Sequence, residues 1–249
     1  IDAAKIIKLP SLIGYDEIRG DFHLHTKFSD GINTIEEMAN AAKKIGYEYI
    51  AISDHSKLPV AGGMDDRAIL KYIKKIEDTD VNGMKIFKSS EVNILKDGSL
   101  DLKNSTLKKL DLVIGSIHSY FKQTKEETTK RLLKAIDNEY LTILGHPTGR
   151  LIGKRDAYDF DAEKVFEKAR ERNVVLEINS FPERLDLKDS LIKYAKGFKV
   201  KFAINTDSHS TEHLHFIKLG VGQARRGWLE SNKVINTYDL KKLERFLGL

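Results

Sequence analysis

Six of the eight histidines in this chain stand where short apolar runs end. The runs close on His23-Leu24-His25, Asp54-His55, Ile117-His118, Gly145-His146 and Asp207-Ser208-His209, and another closes on Ser89-Ser90-Glu91. Runs such as Tyr49-Ile50-Ala51-Ile52 and Val174-Val175-Leu176 suit strands buried on both faces, as in parallel α/β sheets. Parallel strands bring their C-terminal ends to one face of the molecule. Imidazoles and carboxylates would then converge at a single mouth.

The pattern places strands at 20–24, 47–53, 85–91, 111–117, 141–145, 174–179 and 200–206. Thr34 caps a helix that carries Met38, Ala41, Ala42 and Ile45 on one side and ends at Gly46. Further helices are expected over 65–77, 125–138, 161–172, 187–197, 210–217 and 238–247. Lys96-Asp97-Gly98 reads as a hairpin turn after the third strand. Residues 1–19 form a lead-in with a turn at Leu9-Pro10-Ser11, and 20–249 form one domain. Seven strand–helix units predict a closed or nearly closed parallel barrel. The alternative, an open doubly wound sheet, binds ligands at a switch point between a few strands. Candidate ligands at six of the seven strand ends fit a barrel mouth better.

The length of 249 residues suits one α/β barrel. Cysteine is absent, which removes disulfides and thiolate ligands together. Any metal must therefore be held by nitrogen and oxygen. Apolar residues at 41% and charged residues at 32% are ordinary for a soluble globular protein, although the Lys and Glu content resembles thermophile surfaces. No apolar run approaches the roughly 20 residues of a membrane span, so no membrane partner is expected. No secretory leader is visible, and a cytoplasmic location is expected. The formal charge of +5 is compatible with a polyanionic substrate. A start at Ile1 rather than Met is expected of a processed or excised piece of a longer chain.

Each strand-end residue has an ordinary explanation when taken alone. Asp30, before Gly31, could be a turn residue, Asp54 a cap, and Glu91 an exposed carboxylate. His23 and His25, and likewise Asp207 and His209, lie two apart and share a face of a strand. Pro147 fixes the backbone after His146. Six coincidences at one topological position outweigh the separate explanations. Imidazole and carboxylate together suit Zn²⁺, Mn²⁺ or Fe²⁺. There are too many such groups for one ion, which implies a multinuclear hydrolytic centre. Clustered cations lower the pKa of a shared water and offset phosphoryl charge, so phosphoester hydrolysis is the chemistry expected. His213 and His215 follow Ser210-Thr211-Glu212, a helix-start pattern, and are read as outside the site. Tyr120 and Trp228 could stack on a base, with packing the expected role of Trp228.

These residues fit the motifs HxH-x4-D (His23, His25, Asp30), DH (Asp54, His55), Glu91, His118, GHP (Gly145, His146, Pro147) and DxH (Asp207, His209). With them the chain resembles the PHP (polymerase and histidinol phosphatase) superfamily over nearly its whole length. Stretches such as Gly145-His146-Pro147-Thr148-Gly149-Arg150-Leu151, Pro182-Glu183-Arg184-Leu185-Asp186 and Gln223-Ala224-Arg225-Arg226-Gly227-Trp228 resemble the C-terminal PHP domain of family X DNA polymerases. The resemblance implies a distorted (β/α)7 TIM-like barrel with three divalent cations. One would take His23, His25, Glu91 and Asp207, and a second Glu91, His118 and His146. The third would take Asp30, His55 and His209; position 30 is His in some members and Asp in others. Glu91, Asp207 and His209 are the expected catalytic residues.

The resemblance implies Mn²⁺-dependent 3′→5′ exonuclease or 3′-end trimming activity on DNA. A polymerase region in a longer chain would be a natural companion. A phosphatase for a small phosphorylated molecule, of the histidinol-phosphatase kind, is the second expectation. Lys57, Arg150, Lys154, Arg155, Arg184, Arg225 and Arg226 could hold phosphates, with Arg150, Arg225 and Arg226 singled out as substrate-binding. A structural domain with a dead site would show degenerate ligands, and none is visible. An amidohydrolase typically has Lys at the fourth strand end, where this chain has His118.

Overall fold

The computed structural model describes residues 9–58 and 61–249. Residues 1–8 of the expected lead-in lie outside that range. The strands are β1 (Gly20–Leu24), β2 (Tyr49–Ile52), β3 (Lys85–Asn93), β4 (Leu112–Ser116), β5 (Ile143–Leu144), β6 (Val175–Asn179) and β7 (Phe202–Asn205). They form one parallel sheet in sequential order. The α-helices are α1 (Ile35–Lys44), α2 (Asp66–Glu77), α3 (Asn104–Leu107), α4 (Lys125–Ile136), α5 (Ala162–Arg172), α6 (Asp189–Lys196), α7 (Ile217–Arg226) and α8 (Leu240–Leu247). This is a distorted (β/α)7 TIM-like barrel. Among the described residues no helix is long and apolar enough to cross a membrane.

The distortion sits at the seam between β1 and β7. Near the mouth they are joined by a short bridge, in which His25 N–H donates to the Ser208 carbonyl (2.8 Å) and Ser208 N–H to that of His23 (3.2 Å). Deeper down, side chains replace the missing ladder. Asn236 donates to the carbonyls of Gly20 (2.9 Å) and Ile204 (2.8 Å), and Thr206 donates its hydroxyl to Asp21 (2.6 Å). Buried backbone groups need partners, and here amides and a carboxylate provide them.

Side-chain parity divides the barrel interior. Phe87, Ser89, Glu91 and Asn93 share one face of β3, as do Val175, Glu177 and Asn179 on β6. The lower positions are apolar: Phe22, Tyr49, Phe87, Leu112, Ile143, Val175 and Ala203 form one buried cluster with Ile235, Tyr238 and Leu243. Asp239 caps α8 through Lys242 N–H, and the apolar face of that helix closes the cluster. The β1–β2 register shifts between Asp21 and Leu24. As with a bulge, the shift changes parity, so Phe22 joins the lower cluster while His23 and His25 both reach the upper one.

Several expectations shift in detail. The lead-in does not turn at Leu9-Pro10-Ser11; Leu12 pairs with Glu230, Ile13 is buried, and the turn falls at 15–16. The helix expected over 210–217 is a 3-10 segment, Thr211–Phe216, followed by α7. The hairpin at Lys96-Asp97-Gly98 is present, with Ile94 bridged to Leu100 and Gly98 at φ +86°.

Candidate metal centre

All nine expected ligand residues meet at the mouth. His23 Nε2 lies 3.3 Å from Glu91 Oε2 and 3.6 Å from Asp207 Oδ1. His25 Nε2 lies 3.7 Å and 3.1 Å from the same two oxygens. The other Glu91 oxygen, Oε1, lies 2.8 Å from His146 Nε2 and 3.2 Å from His118 Nε2. Asp30 Oδ2 lies 3.6 Å from His55 Nε2 and 3.4 Å from His209 Nε2. His55 also faces inward, with Nδ1 3.0 Å from Glu91 Oε2.

The spacings fit shared cations. Two nitrogen or oxygen ligands at ~2.1 Å from a tetrahedral ion stand roughly 3.4 Å apart. Ring nitrogens of His23, His25, His55 and His118 that face the carboxylates are buried without hydrogen-bond partners. Buried polar atoms are seldom left so, and a cation would satisfy them. Three groups could each hold an ion: His25, Asp30, His55 and His209; His23, His25 and Asp207; and His55, Glu91 and His118. This grouping differs from the allocation implied by resemblance, because His25 and His55 each stand between two groups.

Other buried groups fix the orientation of these side chains. Glu177 Oε1 contacts His23 Nδ1 (2.7 Å) and accepts from Asn205 (2.9 Å). Its Oε2 accepts from the His146 backbone N–H (2.6 Å) and Asn179 (3.2 Å). Asn93 Oδ1 holds His118 Nδ1 (2.7 Å), and the Asp207 carbonyl holds His209 Nδ1 (2.8 Å). In each case the contact leaves Nε2 facing the carboxylates, the usual way a ligand imidazole is oriented. Asp54 accepts from Thr26 and Ser29, so it anchors the loop that carries Asp30. His146 and Asp207 hold left-handed backbone conformations (φ +23° and +55°), an arrangement that costs roughly 1–3 kcal/mol each and clusters at functional sites.

The electrostatics are those of a crowded ionic cluster. Burial would raise Glu91, but the imidazoles of His118, His23 and His55 hold it well below the usual carboxylate range. Asp207 is likewise held low against burial by His23, His25 and Arg184. Burial disfavours protonation of His55, yet Glu91 and Asp30 raise it to about 10. Burial, His209 and His55 push His25 down to about 3, because its ring packs 4.3–4.4 Å from both neighbours. Without a cation, protons on some imidazoles must offset the carboxylates. With one, the same rings can bind as neutral ligands.

The three arginines singled out in the sequence have their own partners in the fold. Arg150 gives its donors to the carbonyls of Arg184 and Leu185. Arg225 donates to the Ile13 carbonyl (2.6 Å) and faces the Tyr15 ring, and Arg226 pairs with Asp189 on α6. The arginine at the metal centre is Arg184, whose Nε lies 3.1 Å from Asp207 Oδ2. Its Nη1 is buried without a partner. Arg184 was only one basic residue among several in the sequence. Glu177 and Asn93 did leave a signal: a carboxylate inside a doubly buried strand, and an amide two residues beyond Glu91. His213 lies at the edge, where its Nδ1 accepts from His209 N–H (3.2 Å) and its ring stacks on Phe216.

Comparison with known proteins gives concordant results. A family described as the PHP domain matches residues 21–181. The chain is 43% identical over 239 residues to the DNA polymerase/3′-5′ exonuclease PolX of Bacillus subtilis, covering 95% of this chain and 42% of that protein. It is 33% identical over 240 residues to a "probable phosphatase" of Thermoanaerobacter sp., covering 91% of this chain and 93% of the relative. The fold also matches histidinol phosphate phosphatase of Lactococcus lactis, solved with zinc, L-histidinol and phosphate, at 18% identity and a TM-score of 0.55, over 83% of this chain and 93% of that one.

Proposed function

From the premise that this chain belongs to the PHP domain family, as a metal-dependent phosphoesterase, we propose that it hydrolyses phosphodiesters at the 3′ end of DNA. The observation that carries the reading is its 43% identity to the polymerase/exonuclease over 95% of the chain, against 33% to the phosphatase over a similar span. The chain spans only 42% of the polymerase relative, so a polymerase region in the same or a longer chain is part of the proposal.

We assign three cations to the mouth, Mn²⁺ or Zn²⁺ first and Fe²⁺ next, held by His23, His25, Asp30, His55, Glu91, His118, His146, Asp207 and His209. When bound, such ions supply Lewis acidity, which makes hydroxide near neutral pH and offsets phosphoryl charge. The chain supplies position and charge. Glu91 presents both oxygens to different imidazoles and can bridge two ions. Asp207 keeps one oxygen for ligands while Arg184 and Asn179 hold the other. Arg184 brings its positive charge beside Asp207 at the centre, and Arg150 fixes the loop on which it rides. His209 is 28% exposed, so it offers an accessible imidazole edge to an arriving substrate.

The second reading, a phosphatase for a small phosphomonoester, rests on the 93% coverage of the phosphatase relative. One experiment separates the two. Chelated protein reconstituted with Mn²⁺ is given 3′-labelled single-stranded DNA and a panel of phosphomonoesters. Stepwise loss of the 3′ label, with kcat/KM above every monoester, is the expected result. Rapid monoester hydrolysis with intact DNA transfers the assignment to the phosphatase reading.

A further inference from the structure

The rim beside Arg184 carries two cation–ring pairs, Arg155 with Phe121 and Lys96 with Tyr120. The turn that carries Arg155 is tied to the Arg184 loop by the Ile152 N–H, which donates to the Glu183 carbonyl (2.6 Å). Arg155 Nε donates to the Gly149 carbonyl (2.8 Å), and its guanidinium stacks 3.7 Å from the centre of the Phe121 ring. Tyr120 follows on the same loop, 60% exposed, with Lys96 Nζ 5.5 Å from its ring centre. Among the described residues neither Arg155 nor Lys96 pairs with a carboxylate, while nearby Asp97 and Glu183 are taken by Lys134 and Lys154.

A buried hydrogen-bonded support lies beneath these groups. Tyr120 has φ +55°, an uncommon conformation for an aromatic residue. Arg131, only 2% exposed, donates to the Ser119 carbonyl (3.0 Å), Gln123 Oε1 (2.8 Å) and the Ile94 carbonyl. It thereby ties the Tyr120 loop to the hairpin that carries Lys96. A buried guanidinium is costly unless its donors are used, and here both Nη groups fix two rim segments side by side while Nε stays unpaired.

We propose that Arg155, Phe121, Tyr120 and Lys96 form a track for single-stranded polynucleotide leading away from the metal centre, with a base stacked on Tyr120. The inference rests on the polynucleotide reading of that centre. Cations beside exposed rings suit unpaired strands, whose bases are free to stack on side chains and whose phosphates need counter-charge. In a duplex the bases stack on one another and offer the rings no free face. The track also reaches beyond the phosphate being cleaved, to groups that a small phosphomonoester does not have.

The test measures binding of a fluorescent oligothymidylate with a hydrolysis-resistant phosphorothioate 3′ end to Mn²⁺-loaded protein, by anisotropy. It also compares kcat/KM for the ordinary oligomer with that for p-nitrophenyl phosphate. Tyr120→Ala should weaken binding by about 5-fold or more, the low end of what a base–aromatic stack provides. Tyr120→Phe should restore most of it. Lys96→Ala should make the salt dependence shallower by about 0.7 in the log–log slope, the value for one phosphate of a single strand that is no longer neutralised. In Tyr120→Ala the ratio of oligomer to monoester kcat/KM should fall. If Tyr120→Ala and Lys96→Ala bind the oligomer as wild type does, while wild type trims it, the track is wrong and the reading of the metal centre stands. If wild type neither binds nor trims it yet hydrolyses the monoester, both are overturned.

Discussion

Phe87 and Glu91 stand four residues apart on one face of β3, and both are excluded from solvent. Phe87 packs among Tyr49, Leu112, Ile114 and Ile143, closed off by α8. Glu91 meets the imidazoles of His23, His25, His55, His118 and His146. Burying the first is favourable because apolar surface leaves water. Burying the second costs free energy unless opposite charge is held beside it. One barrel interior thus divides into a lower half that stabilises the fold and an upper half that the fold must support. Left-handed backbone at His146 and Asp207, and unpartnered ring nitrogens, lie in the upper half.

Four changes probe the division between the halves. Phe87→Ala should destabilise the chelated protein by about 3–5 kcal/mol in urea denaturation, as large cavities in well-packed cores do. The metal bound per folded molecule should stay the same. A loss below about 1 kcal/mol would mean that the lower half is not where the stability resides.

Glu91→Gln keeps the shape and removes the charge. Phosphoesterase turnover should fall at least about 100-fold, roughly 3 kcal/mol of barrier, with reduced metal content. The stability of the chelated protein should change far less than in Phe87→Ala. Near-normal turnover at full metal occupancy would contradict the bridging role.

Chelation of wild type should lower Tm by at least roughly 5–10 °C relative to protein in Mn²⁺ at a hundred times its Kd, since that excess supplies about 2.7 kcal/mol for each occupied site. The same shift should be seen in Phe87→Ala, because separated sites add. A shift that vanishes in that variant would show the two halves to be coupled.

The smallest effect concerns Asp186, a buried carboxylate outside the three ligand groups. Burial raises it to about 6 although Thr148, Arg150 and Arg184 oppose the shift. With the folded value above the ordinary 3.8, the native state holds the proton longer than the unfolded chain does. The contribution of Asp186 to stability is therefore greatest below about pH 4 and is lost as pH rises towards 6. Asp186→Asn should flatten that decline by on the order of 2–3 kcal/mol. Parallel pH profiles for wild type and variant would mean that this burial costs nothing.

Much of this organisation is legible in the sequence, and for a physical reason. Strands buried on both faces are apolar runs, and a mouth built from their ends puts its polar residues just after each run. What is not legible depends on three-dimensional parity and close approach. The shift in β1 that sends Phe22 down and both His23 and His25 up leaves no mark in the sequence. In α7, Gly220 and Gly222 argue against a helix, yet a Cβ at Gly220 would come within 2.0 Å of Ser180 Oγ, so packing against β6 and β7 demands the glycine. Arg184 rides on a loop whose course is set by Arg150, and basic residues in loops look alike until their partners are known.

Cations are expected to balance the charge of the upper half in place of protons on its imidazoles. Equilibrium dialysis of metal-stripped protein against Mn²⁺, read by elemental analysis beside Glu91→Gln, measures this directly. Close to three ions per chain are expected in wild type, with a loss of more than one in the variant. A single ion or none in wild type, or equal occupancy in the two proteins, would contradict a trinuclear centre bridged by Glu91.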